Sequence, residues 1–133
     1  MEIVEQLSLK SELDSICELE KSIEKLRDTY CITDNRYGDI MLAVVEAVTN
    51  AIVHGNGEDL SKWVRVETYK YKDKLCFTII DEGIGFDVEL VPDPTLPQNI
   101  DKMNGRGVFL IRQLADEVAF LEKGTKVELG FYL

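Results

Sequence analysis

One histidine, one tryptophan, three cysteines and three prolines are all that this 133-residue chain holds of those types. With a single histidine and no CxxC spacing among Cys17, Cys31 and Cys76, nothing supports a zinc site. An odd number of widely spaced cysteines reads as reduced thiols in a cytosolic protein. Cationic residues are in deficit: 15 Lys plus Arg stand against 25 Asp plus Glu, a formal charge of −10. Polyanion binding needs a cationic face, so bulk association with nucleic acid or an anionic membrane is excluded and any anionic ligand has to be held locally. No uninterrupted apolar run approaches the ~18 residues of a membrane helix. The acidic start MEIVEQLSLKSELD also lacks the basic opening and long apolar stretch of a signal peptide. The expected location is cytoplasmic, without membrane contact.

The composition that remains, 45% hydrophobic and 30% charged, is that of an ordinary globular protein. A length below the ~150 residues of one domain predicts a single domain over residues 1–133. Ile3, Leu7 and Leu9 at odd positions suggest an edge strand. Ser11 stands as an N-cap before Leu13, Ile16, Leu19, Ile23 and Leu26, which recur at helical spacing. A second helix is expected from Arg36 to His54, stopped by Gly55-Asn56-Gly57. Trp63 to Tyr71 alternates, with Val64, Val66 and Thr68 on one side, and Leu75 to Asp81 reads as a buried strand in hairpin with it. All three prolines (Pro92, Pro94, Pro97) fall between Phe86 and Asn104, which reads as a long mobile loop. A helix from Gly107 to Asp116 and strands at Val118–Glu122 and Thr125–Leu133 complete the chain.

The second helix is apolar nearly all round, from Met41 through Val53, yet Glu46, Asn50 and His54 recur at i, i+4 and i+8 and so share one stripe. An unpaired buried carboxylate is costly, so the stripe meets partners, water or a ligand. A solvated stripe, with His54 merely capping the C-terminus, fits the helix alone equally well. Seven of the nine glycines add weight to a site: Gly55 with Gly57, Gly83 with Gly85, Gly105 with Gly107, and Gly124. Paired glycines let backbone come close to a ligand and offer N–H groups to phosphate. There is no GxxxxGK[ST] P-loop, and neither Gly83-Ile84-Gly85 nor Gly105-Arg106-Gly107 continues into GxGxxG between a strand and a helix. Asp81, ending the buried strand, is either a turn-starting aspartate or an acceptor for an exocyclic amine such as that of adenine.

Together, EAVTNAIVHGN (Glu46 to Asn56), DEGIGFD (Asp81 to Asp87), GRGVFLI (Gly105 to Ile111) and Gly124-Thr125 resemble, in order and separation, the nucleotide-binding boxes of the ATPase superfamily of DNA gyrase, the heat-shock chaperone, sensor histidine kinases and mismatch-repair ATPases. Within it, the short chain and the NAIVHGN wording look most like bacterial anti-sigma factors that are also serine-protein kinases. The resemblance implies an α+β fold, a two-layer α/β sandwich with helices on one face of a mixed, mostly antiparallel sheet, and ATP under a flexible lid. Carried to matching positions, Asn50 would ligate Mg2+, an oxygen-seeking ion, and Glu46 would act as general base. Asp81 would bind the adenine amino group, supported by Thr125, with Gly83 and Gly85 close to the base and His54 inside the same motif. Gly105 and Gly107 would close the lid at a helix start, where free N–H groups favour phosphate. The anti-sigma kinases usually follow the lid's basic residue with a Ser-Gly-Met-Gly-like run; here the text is Lys102-Met103-Asn104-Gly105-Arg106-Gly107. The group facing the terminal phosphate is therefore Lys102 or Arg106, or it is missing.

The expected function is an ATP-dependent serine/threonine-protein kinase in a partner-switching pathway, binding a sigma factor or similar regulator and phosphorylating a small antagonist (anti-anti-sigma) protein. The alternative is a non-catalytic ATP-binding module that sequesters its partner. A homodimer is suggested by the resemblance only. A sensor histidine kinase fits less well, because the sole histidine lies inside the ATP motif. If the Pro92 to Pro97 stretch belongs to a lid, protease cleavage there slows when Mg-ATP is added; cleavage at an unchanged rate would count against the lid.

Overall fold

The computed structural model describes residues 2–85 and 103–133, with the side chains of residues 103–106 outside that description. In chain order the elements are β1 (Glu2–Lys10), α1 (Ile16–Tyr30), α2 (Asp34–Asn50), β2 (Trp63–Tyr71), β3 (Lys74–Ile80), α3 (Met103–Leu114), β4 (Glu117–Leu121) and β5 (Lys126–Tyr132). One 3-10 turn, Leu13–Ser15, precedes α1, and α2 runs on into a single π turn, Ala51–Gly55.

The strands form one sheet in the order β1-β2-β3-β5-β4. It was expected to be mixed; each of its four described pairings is antiparallel. Alternation makes the sheet two-faced. Val64, Val66 and Thr68 of β2, Leu75, Phe77 and Ile79 of β3, and Val127, Leu129 and Phe131 of β5 are buried on the helix side. The helices cover them with Leu19, Ile23 and Leu26 of α1, Ile40, Val44 and Val48 of α2, and Ile111 of α3. Phe77 and Phe131 meet edge to face, with centroids 6.0 Å apart.

α2 is the central helix, packed against α1, α3, β3 and β5. With its π turn it spans Asp34–Gly55, 22 residues long and apolar enough by composition to cross a membrane. The apolarity is accounted for by packing, because Ile40, Ala43, Val44, Ala47, Val48, Ala51 and Ile52 are buried in the core.

Three element starts differ from those expected. Ser11 is no N-cap: it is fully buried, and its hydroxyl donates to the Lys62 carbonyl at 2.7 Å while accepting from the Asn56 amide at 2.9 Å. α2 begins at Asp34, where the Thr33 hydroxyl accepts the Arg36 N–H at 3.4 Å. α3 begins at Met103, four residues before Gly107, so the two glycines of Gly105-Arg106-Gly107 lie within the helix. The expected loop over Phe86–Asn104 lies outside the described residues except for Met103 and Asn104, which are helical. The far end of α3 is tied down by Asp116: its carboxylate accepts from Arg36 of α2 at 2.6 Å and from the Tyr132 N–H at 2.8 Å.

Replacing Phe77 by Ala removes a ring buried to 1% exposure and its edge contact with Phe131. A loss of about 3–5 kcal/mol of unfolding free energy is expected in urea titration; a loss below about 1 kcal/mol would contradict the packing described.

Candidate functional site

Four element ends converge at the C-terminal half of α2. The stripe Glu46, Asn50 and His54 meets the end of β3 at Asp81, the Gly83–Gly85 segment, the flank of α3 and the turn before β5. They enclose a cavity of about 240 Å³, with Ile79, Val108, Ile111 and Val127 as its apolar floor and Asn50, His54, Asp81, Gly85 and Gly124 among its wall residues. A mostly apolar pocket with a few convergent polar groups is the usual form of a small-molecule site. His54, on the π turn, is exposed at the edge. Glu46 is half-buried beside Asn50, one helical turn beyond the wall.

Close backbone approach defines the walls. A Cβ on Gly107 would lie 2.5 Å from the Asn50 Nδ2 and 2.7 Å from a Glu46 carboxylate oxygen, so glycine lets α3 sit against both side chains without displacing them. This contact accounts for the glycine at 107 inside α3: it serves the approach to Asn50 and Glu46. The free N–H groups of a helix are those of its first turn, so Gly107 stands past the position expected for it. On the opposite wall, a Cβ on Gly83 would collide with the Gly55 carbonyl, and one on Gly55 would lie 2.5 Å from the Asp81 carboxylate. Gly85 adopts a left-handed conformation (φ 84°) against the Lys123 backbone.

Asp81 is clamped through its main chain and side chain. Its N–H donates to the Thr125 carbonyl at 2.9 Å, and its carboxylate accepts the Gly83 N–H at 2.8 Å. Burial pushes its pKa up, opposed by the Gly83 N–H and the charge of Lys62. Thr125 supports Asp81 through its carbonyl, since its hydroxyl donates to the Glu122 carbonyl at 2.8 Å. Lys102 and the side chain of Arg106 lie outside the described residues. Among the described residues no three His, Cys, Asp or Glu side chains come together as a metal cluster.

Asn56 was overlooked, since Gly-Asn-Gly reads as a helix stop. It is 3% exposed and hydrogen-bonded to three separate segments. Its amide donates to Ser11 and to the Trp63 carbonyl, at 2.9 and 3.1 Å, and its oxygen accepts the Glu82 N–H at 2.7 Å. Its own N–H reaches the Ala51 carbonyl at 2.8 Å, the wide bond of the π turn.

The family profile described as the histidine kinase-like ATPase domain matches residues 9–131, nearly the whole chain. The chain belongs to that family. Among curated relatives, a serine-protein kinase RsbW of Listeria monocytogenes serotype 4a is 33% identical over 103 residues, 71% of this chain and 65% of the relative. An anti-sigma F factor of Clostridium perfringens is 32% identical over 117 residues, 84% of this chain and 76% of the relative. The chain thus spans slightly under two thirds of the Listeria kinase's length. The fold matches a solved Mycobacterium tuberculosis protein carrying RsbU and RsbW domains, with a TM-score of 0.68 at 16% identity, over 98% of this chain and 33% of that one. That likeness establishes the family's two-layer fold.

The raised pKa of Asp81 sets a pH dependence. A carboxyl that binds its proton more tightly folded than unfolded lowers stability as pH rises from the unfolded value through the folded one. Asp81→Asn is therefore expected to raise the melting temperature of the ligand-free protein at pH 7, with the gain shrinking as the pH falls through the carboxylate range. A lower melting temperature at pH 7 in scanning calorimetry would contradict the cost assigned to burying this charge.

Proposed function

We propose that this chain is an ATP-dependent serine/threonine-protein kinase acting in a partner-switching pathway. It would phosphorylate a small antagonist protein and bind a sigma factor or similar regulator, in the cytoplasm and as a single domain. The observation that carries this is the convergence of Asn50 and Asp81 on one glycine-walled cavity, with Glu46 one helical turn beyond Asn50. The names of the Listeria and Clostridium relatives support the kinase and anti-sigma parts of it.

The cavity suits a nucleotide. Its apolar floor can take a purine face, and Asp81, an acceptor fixed at the wall, can receive an exocyclic amine. The side-chain oxygen of Asn50 is the protein group suited to hold Mg2+, which prefers oxygen ligands and would offset phosphate charge when bound. Glu46 stands one helical turn from Asn50, both beside Gly107, and its role is to take the proton of an incoming hydroxyl. Gly107 brings the α3 backbone to these two side chains, and the cation for the terminal phosphate is Lys102 or Arg106, or is missing. A homodimer belongs to the same proposal.

Purified protein is incubated with labelled ATP and candidate antagonist proteins. Transfer to serine or threonine is expected, and Glu46→Gln should slow it by about 10²–10⁴-fold with ATP still bound at near wild-type affinity. Transfer that survives in the variant would remove Glu46 from the role of base. Tight ATP binding by the wild type without transfer to any cognate antagonist would favour the sequestering module instead.

A further inference from the structure

We infer that Asn56 is a positioning residue for base recognition, its buried amide fixing the peptide that carries Asp81 against the end of α2. The inference rests on the assignment of the cavity to ATP made above, and it adds a residue that the nucleotide itself does not touch.

The N–H that Asn56 accepts is that of Glu82, which belongs to the peptide joining Asp81 to Glu82. The preceding peptide is held by the Thr125 carbonyl, which accepts the Asp81 N–H. Both peptide planes flanking Asp81 are thereby fixed, and with them the direction in which its side chain leaves the backbone. The Asn56 amide is itself immobilised. Its nitrogen donates to the Ser11 hydroxyl and the Trp63 carbonyl, and that hydroxyl donates in turn to the Lys62 carbonyl. The orientation of the amide is unambiguous, because a peptide N–H only donates and a carbonyl only accepts. Asn56 also follows Gly55, whose carbonyl abuts Gly83, so one residue sets the spacing between the helix end and the Asp81–Gly83 run. The Asn56 and Ser11 side chains are buried, so loss of one partner leaves the other poorly satisfied.

The test is a double-mutant cycle read by calorimetry with Mg-ATP and Mg-GTP. Asn56→Ala is expected to weaken ATP about tenfold, to change GTP little, and to add no further loss when Asp81 is already Asn. Equal weakening of both nucleotides, or losses that simply add, would mean that Asn56 only holds the fold together and would overturn the inference. Loss in Asp81→Asn with none in Asn56→Ala overturns the positioning role and leaves the ATP site standing. Unchanged ATP binding in Asp81→Asn removes the site assignment and the positioning role with it. If Asn56→Ala does not fold, Ser11→Ala carries the same cycle with a loss of about threefold, since it removes only the hydroxyl that anchors the amide; no loss, or an additive one, overturns the inference there too.

Discussion

A helix that is apolar on nearly every side has to be covered on nearly every side, and the rest of this molecule follows from that constraint on α2. The sheet takes one flank through β3 and β5, α1 and α3 take others, and Ile40, Ala43, Val44, Ala47, Val48, Ala51 and Ile52 disappear into the resulting core. What cannot be covered in this way is the stripe of Glu46, Asn50 and His54, since an ionised or amide side chain sealed in hydrocarbon has nothing to repay its lost hydration. The fold leaves that stripe facing the place where β3 ends, the Gly83–Gly85 segment passes, and α3 comes in. The cavity is a consequence of polar side chains on the most buried helix of the domain.

Around it, the walls depend on backbone meeting backbone or side chain without an intervening Cβ. Gly107 lets α3 rest on Glu46 and Asn50, while Gly55 and Gly83 let the end of α2 touch the run after β3. Such contacts need their frames held, because a glycine alone gives freedom without direction. Here the frames are polar: Arg36 and Asp116 tie the far end of α3 to α2 and β5, and Asn56 ties the π turn to Ser11 after β1, to β2 and to the Asp81–Glu82 peptide. Close approach shapes the walls of the cavity, and the hydrogen bonds hold those walls in place.

How much of this could be read in the residues depends on how far apart the interacting partners are. Alternation over Trp63–Tyr71 located β2 at its observed limits, because inward and outward faces repeat every second residue regardless of the rest of the chain. The all-round apolar character of α2 was equally plain. Ser11 was misplaced because capping is a local rule, whereas its actual partners, Lys62 and Asn56, lie 51 and 45 residues away. Glycine reads locally as a helix breaker, and only the packing against Glu46 and Asn50 shows why Gly107 is accepted inside α3. For Thr125, a hydroxyl suggests a ligand contact, yet the turn at Glu122 claims it and leaves the carbonyl to hold Asp81. Pairwise geometry across the fold, rather than propensity, decided each of these.

The same geometry explains where stability is spent. Asp81 keeps a half-buried carboxylate with one N–H donor, and Glu122 and Lys123 both take left-handed conformations (φ 51° and 59°) that disfavour residues with a Cβ. Both features border the cavity, and neither helps the core to pack. A chain selected for stability alone would place Asn or an apolar residue at 81 and glycine at 123. Beside the close-approach glycines these features put unfavourable local terms on the cavity wall, while the Phe77–Phe131 pair packs the core on the same sheet. An acceptor with few partners among the described residues is what the proposed nucleotide site needs, because a donor from outside the protein can then reach it.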